Sequence, residues 1–192
     1  KPRFLRQQQF RGVFAEMLRI GTDCSGIEAP IEALRQMQVE HTHVFSCDVD
    51  DHCVRSIQAN YDPQTIYRDI TKRDNSALPR VDMYCCGFPC QSFSSLGNRK
   101  GLAEPRGQLV WHCIEAIKAA RPKCFILENV KALKFSDNGS ALESILDAIE
   151  EIGIYTIYVE VMNTRDYGIP QNRERLYIIG LETTQIKKRF KM

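Results

Sequence analysis

At positions 85–95 the chain reads CCGFPCQSFSS, three cysteines within six residues, set among Gly87, Phe88 and Pro89 after an apolar run. Three chemistries compete for it. A zinc site needs paired ligands at short, repeated spacing. Cys86 and Cys90 are four apart with no second pair, and His41, His43, His52 and His112 are scattered, so metal binding is disfavoured. Cys85 and Cys86 fall in a strand-like run, where cysteine behaves as a small hydrophobe. Cys90 instead sits on a Gly/Pro-shaped loop at that strand's carboxyl end, where a thiolate can act as a nucleophile. Pro89 fixes its own φ and restricts Phe88, so the approach to Cys90 is stiff. On this stretch alone, a structural turn with a bystander thiol stays open.

Other groups join it. Glu128 follows the apolar run 124–127 and would project into the same crevice, where a carboxyl group can serve as an acid; the alternative is an ordinary strand-end carboxylate. Arg173 and Arg175, in QNRERLY, alternate along a late strand and so share one face, which in isolation also suits a solvated surface. Asp23 and Asp69, taken singly, suit turn or cap positions.

The elements that must position these residues are legible as alternation. MLRIGT is a strand, followed by the helical pattern EAPIEALRQM. Val44 to Cys47 is a second strand, followed by an amphipathic helix through His52, Val54, Ile57 and Ala59. Thr65 to Tyr67 and Val81 to Cys86 are strands, Gln108 to Ala120 a helix, CFILEN a buried strand, Ala141 to Ile152 a helix, and YTIYVEVM and RLYIIGL late strands. Strands alternating with helices predict an α/β domain with a largely parallel sheet. Ligands of such sheets bind beyond the carboxyl ends of the strands. Residues with chemistry follow successive strands here: Thr22 to Gly26, then Asp48 and Asp50, Asp69, the GFPCQ loop, and Glu128-Asn129.

Composition narrows the class. With 43% hydrophobic and 26% charged residues in 192, the chain is neither disordered nor built for a bilayer. A net charge of +2 is too small to imply a partner, so a nucleic-acid ligand has to be argued from a local site. Eight cysteines without a visible secretory signal, several in buried runs, predict reduced thiols and an intracellular setting. That setting is the nucleus in a eukaryote and the cytoplasm in a bacterium. Residues 1–16 read as a basic leader or cut edge, 17–182 as the core and 183–192 as a basic tail.

GFPCQSFS, LENV and YGIPQNRERLYIIG, in that order, resemble the cytosine carbon-5 DNA methyltransferase family, and KGLAEPRGQLVW looks like its intervening motif. The resemblance implies a Rossmann-like S-adenosylmethionine-dependent fold, mostly parallel with a late antiparallel strand. It implies Cys90 as the nucleophile toward carbon 6 of cytosine. Glu128 would hold the ring's N3 and amine, and Arg173 and Arg175 would steady the flipped base. Asn129 would brace the catalytic loop. Gln91, Ser92, Arg99 and Lys100 fall in the loop that closes over the base, with Gln171 beside the arginines. Double-stranded DNA is the implied partner, with RNA as the alternative. The base must leave the stack to reach such a pocket.

For S-adenosylmethionine the resemblance implies Asp23, Cys24, Ser25, Gly26, Ile27, Asp48, Val49, Asp69, Ile70, Gly87 and Pro89. Here the chain departs from the family pattern Asp-x-Phe-x-Gly-x-Gly. It reads Thr22-Asp23-Cys24-Ser25-Gly26-Ile27-Glu28, with a cysteine for the aromatic and a glutamate for the later glycine. A side chain at Glu28, where the backbone usually approaches the cofactor, is expected to weaken binding. Family members also continue into a target-recognition region. Its expected absence before Met192 leaves three readings: a fragment, a subunit completed by a second chain, or a nonenzymatic copy.

Overall fold

The alternation becomes one seven-stranded sheet with helices, in a computed structural model that describes residues 17–89 and 108–185. The elements are β1 (Leu18–Asp23), α1 (Ala29–Gln36), β2 (His41–Cys47), α2 (Asp51–Asn60), β3 (Thr65–Tyr67), β4 (Met83–Gly87), α3 (Leu109–Ala120), β5 (Cys124–Val130), α4 (Ser140–Glu150), β6 (Tyr155–Asn163) and β7 (Glu174–Glu182). Residues 1–16 of the expected leader, the loop residues Cys90, Gln91, Ser92, Arg99 and Lys100, and 186–192 of the tail lie outside the described residues.

The strand order is β3-β2-β1-β4-β5-β7-β6. The first five strands pair in parallel, and β7 runs antiparallel to both β5 and β6. The chain reverses its direction of growth between β1 and β4, the switch point at which open sheets bind ligands. Period-two alternation divides the core. Tyr84, Cys86, Phe125 and Leu127 pack with α3 and α4, and Cys85 and Ile126 pack with Ile31 and Leu34 of α1. On α4, Ala141, Leu142, Ile145 and Ile149 form the buried stripe expected of an amphipathic helix. Gly180 lies opposite Phe125 across β5 and β7, and a Cβ there would run into the Phe125 ring.

Several boundaries move: β2 starts at His41 where Val44 was expected, α4 ends at Glu150 where Ile152 was expected, and two shifts flank the site. The strand expected to start at Val81 starts at Met83, because Val81 is buried but makes no ladder pair. The strand expected to end by Asn129 runs to Val130, because β7 extends its ladder: Glu128 pairs with Tyr177, Asn129 with Leu176 and Val130 with Arg175. Glu128 and Asn129 therefore lie inside a strand, not after one. Antiparallel pairing also brings the first residues of β7 to the carboxyl end of β5.

Candidate active site

That pairing brings the expected Glu128, Arg173 and Arg175 together in one corner. Arg175 Nε lies 2.9 Å from Glu128 Oε1, and Arg173 Nη2 lies 4.0 Å from the same oxygen. Oε2 turns toward Gly87, which pairs with Glu128 across β4 and β5; a Cβ at 87 would sit 3.2 Å from it. Glycine here leaves room for the carboxylate. The resemblance grouped Gly87 with the cofactor, and the structure sets it against Glu128.

The loop toward Cys90 is anchored from two sides. Phe88 is buried in the core. The Asn129 side-chain amide donates to the Phe88 carbonyl at 3.1 Å, and its oxygen accepts from the Val130 N–H at 2.8 Å. One buried asparagine thus ties β5 to the residue before Pro89. Cys90 is the next residue after Pro89. Cys85 and Cys86 are buried, and burial pushes both thiols well above the ordinary range, so neither is primed as a nucleophile. The Cys86 and Cys113 sulfurs lie 3.2 Å apart, and all seven described cysteines are free. Among the described residues, no group of three or more His, Cys, Asp or Glu is placed to hold a metal.

Asn163 was not singled out from sequence. Its side-chain oxygen accepts from the backbone N–H of Arg165 and of Arg173, both at 3.2 Å, and its amide donates to Asn172 at 2.7 Å. It closes the turn that carries Gln171, whose carbonyl accepts from Thr164 Oγ1 at 2.6 Å, and so sets where Arg173 begins. The available signal was an asparagine at a strand end just before a motif, which is common and weak.

Most of the residues expected to hold the cofactor gather beyond the ends of β1, β2 and β3. The Gly26 N–H donates to Asp48 Oδ2 at 2.8 Å and the Asp50 N–H to Asp48 Oδ1 at 2.9 Å, which fixes that carboxylate at the edge. Ile27 and Val49, in the loops that follow β1 and β2, are 71% and 68% exposed. Two large apolar side chains beside a held carboxylate fit a ligand with an apolar ring and hydroxyls, so these residues suit a nucleoside such as that of S-adenosylmethionine. Asp69 accepts from the Thr71 N–H and hydroxyl, and these bonds lower its pKa. Cys24 packs against the core.

Three assignments change in kind. The Asp23 carboxylate is buried, held by Arg73 at 2.7 and 2.8 Å and by the Tyr84 hydroxyl at 2.6 Å. All three bonds run to side chains of the protein and the carboxylate is fully buried, so it supports the loop and does not face a ligand. Ile70 is buried in the core, which leaves the half-buried Asp69 as the accessible member of that pair. Glu28, expected to obstruct the cofactor, is buried and turned away from the crevice.

Residues 23–192 match the family of C-5 cytosine-specific DNA methylases. The type II methyltransferase M.NlaX of Neisseria lactamica is 43% identical over 147 residues, covering 77% of this chain and 47% of the relative. The orphan methyltransferase M.SPRI of Bacillus phage SPR is 41% identical over 172 residues, covering 88% and 39%. The chain spans less than half the length of these two relatives. Among solved structures, the S. pombe Dnmt2 methyltransferase superposes with a TM-score of 0.65 at 16% identity over 91% of this chain and 52% of that one, a likeness of fold. With the match running from the first strand through the Glu128–Arg175 corner to the end, the chain belongs to the C-5 cytosine-specific DNA methylase family.

Proposed function

We propose that this chain carries the catalytic and cofactor-binding part of an enzyme that methylates carbon 5 of cytosine in DNA. The reaction would use S-adenosylmethionine and pass through a covalent adduct of Cys90 with a flipped-out base. The observation that carries the reading is the Glu128 corner. A carboxylate oxygen is paired closely with Arg175, with the Arg173 guanidinium 4.0 Å away, its other oxygen lies beside Gly87, and Asn129 next to it ties down the loop that leads to Cys90.

The chemistry follows from what cytosine lacks. Its carbon 5 is a weak nucleophile, and addition of the Cys90 thiolate to carbon 6 makes carbon 5 electron-rich. Glu128 would hold N3 and the exocyclic amine and favour a proton on N3 as charge develops on the ring. Arg173 and Arg175 orient that carboxylate and offer donors to the base. S-adenosylmethionine would supply the electrophilic methyl group, with Asp48 on its ribose and Ile27 and Val49 against its apolar parts. Loss of the carbon-5 proton and expulsion of the thiolate from carbon 6 restore the aromatic ring.

The test uses the full-length protein, labelled cofactor and duplex DNA carrying 5-fluorocytosine, whose carbon 5 has no proton to lose. The expected result is a covalent complex with wild type and none with Cys90→Ser. An adduct on transfer RNA and not on DNA would reassign the substrate, and no adduct on either would overturn the proposal.

A further inference from the structure

Glu28 carries a fully buried carboxyl group in a backbone conformation that disfavours its own side chain. Its φ is 59°, in the left-handed region, and Cys24 at 48° and Gly26 at 55° share that region in the same short loop. For the two non-glycine residues this costs about 1–2 kcal/mol each, so contacts and not local preference hold the loop's shape. Glycine at 28 would meet the backbone requirement without strain, and what glutamate adds is the carboxyl group.

That group is a staple. The Thr22 hydroxyl, on β1, donates to Glu28 Oε1 at 2.7 Å, and the Ser46 hydroxyl, on β2, donates to the same oxygen at 2.6 Å. Ser46 has one proton and gives it to Glu28, so its 3.0 Å contact with His43 requires His43 Nε2–H to be the donor. His43 and Ser46 are three residues apart and would point to opposite faces of a regular strand. They meet because β1 and β2 slip by one residue between Ile20 and Gly21, a bulge that re-aims the end of β2. The loop is sewn to β2 further by Ser25, whose N–H donates to the Cys47 carbonyl at 3.1 Å and whose hydroxyl accepts from the Cys47 N–H at 2.9 Å. Two residues beyond Ser46 is Asp48, and two before Glu28 is Gly26, which bonds to it.

We infer that Glu28 is a positioning residue for the cofactor: its buried carboxyl group locks the β1 loop to β2 and so fixes Gly26 and Asp48. This rests on the proposed cofactor site. In place of a glycine that would let the backbone come close, this chain uses an inward-facing acid that braces the loop from behind.

The test measures S-adenosylhomocysteine affinity by calorimetry on the full-length protein, well below each variant's melting temperature. Glu28→Gly, which accepts the backbone angle and deletes the carboxyl group, is expected to weaken binding about tenfold, the worth of one to two hydrogen bonds. Glu28→Gln keeps an acceptor for Thr22 and Ser46 and is expected to stay within about threefold of wild type. In turnover, KM for the cofactor should rise in Glu28→Gly while kcat and KM for DNA hold. Wild-type affinity in Glu28→Gly, with affinity lost in Asp48→Ala, overturns the inference and leaves the site intact. Wild-type affinity in Asp48→Ala instead overturns the cofactor site, and this inference with it. Should Glu28→Gly not fold, Ser46→Ala removes one donor from the staple; about threefold weakening supports the inference, and unchanged affinity overturns it.

Discussion

Two carboxylate–guanidinium pairs stand at the carboxyl edge of one sheet, and they are built for opposite purposes. In the pair at β1, the Asp23 and Arg73 side chains are 0% and 3% exposed, joined by two bonds. Tyr84 adds a third bond to the carboxylate, Asn75 takes the Arg73 Nε–H at 3.0 Å, and the guanidinium lies over Phe45 and Tyr67. In the pair at β5, Glu128 and Arg175 are 28% and 21% exposed, and both arginines share one oxygen. A pair enclosed in the core, with protein partners on both groups, can hold a fold together and meet no ligand. A pair left unsaturated on one side keeps donors and an acceptor for a substrate. Similar side chains thus diverge in use through how completely their hydrogen-bonding capacity is spent.

Breaking the closed pair should have the largest effect on folding. Asp23→Ala leaves Arg73 as an uncompensated buried charge and is expected to cost about 3–5 kcal/mol in denaturant unfolding. The additional change Arg73→Leu should recover much of that loss, since it removes the stranded charge. Glu128→Gln, at the open pair, should reverse the pattern. Turnover is expected to fall about a hundredfold or more while unfolding free energy moves by less than about 1 kcal/mol, because a part-exposed pair contributes little stability. Equal loss of stability in the two variants would erase the contrast.

Tyr84→Phe sharpens the comparison with a smaller change. It deletes one bond to a charged acceptor and is expected to cost about 1.5 kcal/mol at neutral pH. Burial, and then Asp23, pushes the Tyr84 phenol well above its ordinary 10.0. The folded state therefore holds this proton more tightly than the unfolded chain does. The resulting stability is fully present below pH 10 and is lost as pH rises beyond it. The gap between wild type and Tyr84→Phe should narrow by about 1.4 kcal/mol per pH unit above about pH 10. A gap independent of pH would mean that Tyr84 titrates alike in both states.

The difference between the pairs also explains which of these residues are legible in the sequence. Glu128, Arg173 and Arg175 stand out because each sits in a compact motif whose residue types suggest chemistry. Asp23 was visible only as an acid in a turn-like stretch, and its partners Arg73 and Tyr84 carried no signal. They lie 50 and 61 residues away, and no local pattern records a contact across that distance. Asn163 carries little signal for a related reason: its oxygen works on the backbone of residues 165 and 173, which any sequence could supply. Glu28 was noticed as a departure from the family pattern and read as an obstacle. The direction of its side chain depends on the Thr22 and Ser46 hydroxyls that meet it, on two strands brought together only by the sheet.

By itself, the order of residues determined the alternation of strands and helices, the late antiparallel strand expected from the family resemblance, and that Cys85 and Cys86 belong to a strand. These depend on local preference, on period-two and helical burial, and on short motifs whose members act within a few residues of one another. Only the tertiary structure decided the strand order, the extension of β5 by β7 that brings Arg175 to Glu128, and the inward turn of Asp23 and Glu28. Each of these requires chain segments tens of residues apart to meet. Whether a carboxylate faces a substrate or the core is settled by what the folded chain places around it, not by its neighbours in sequence.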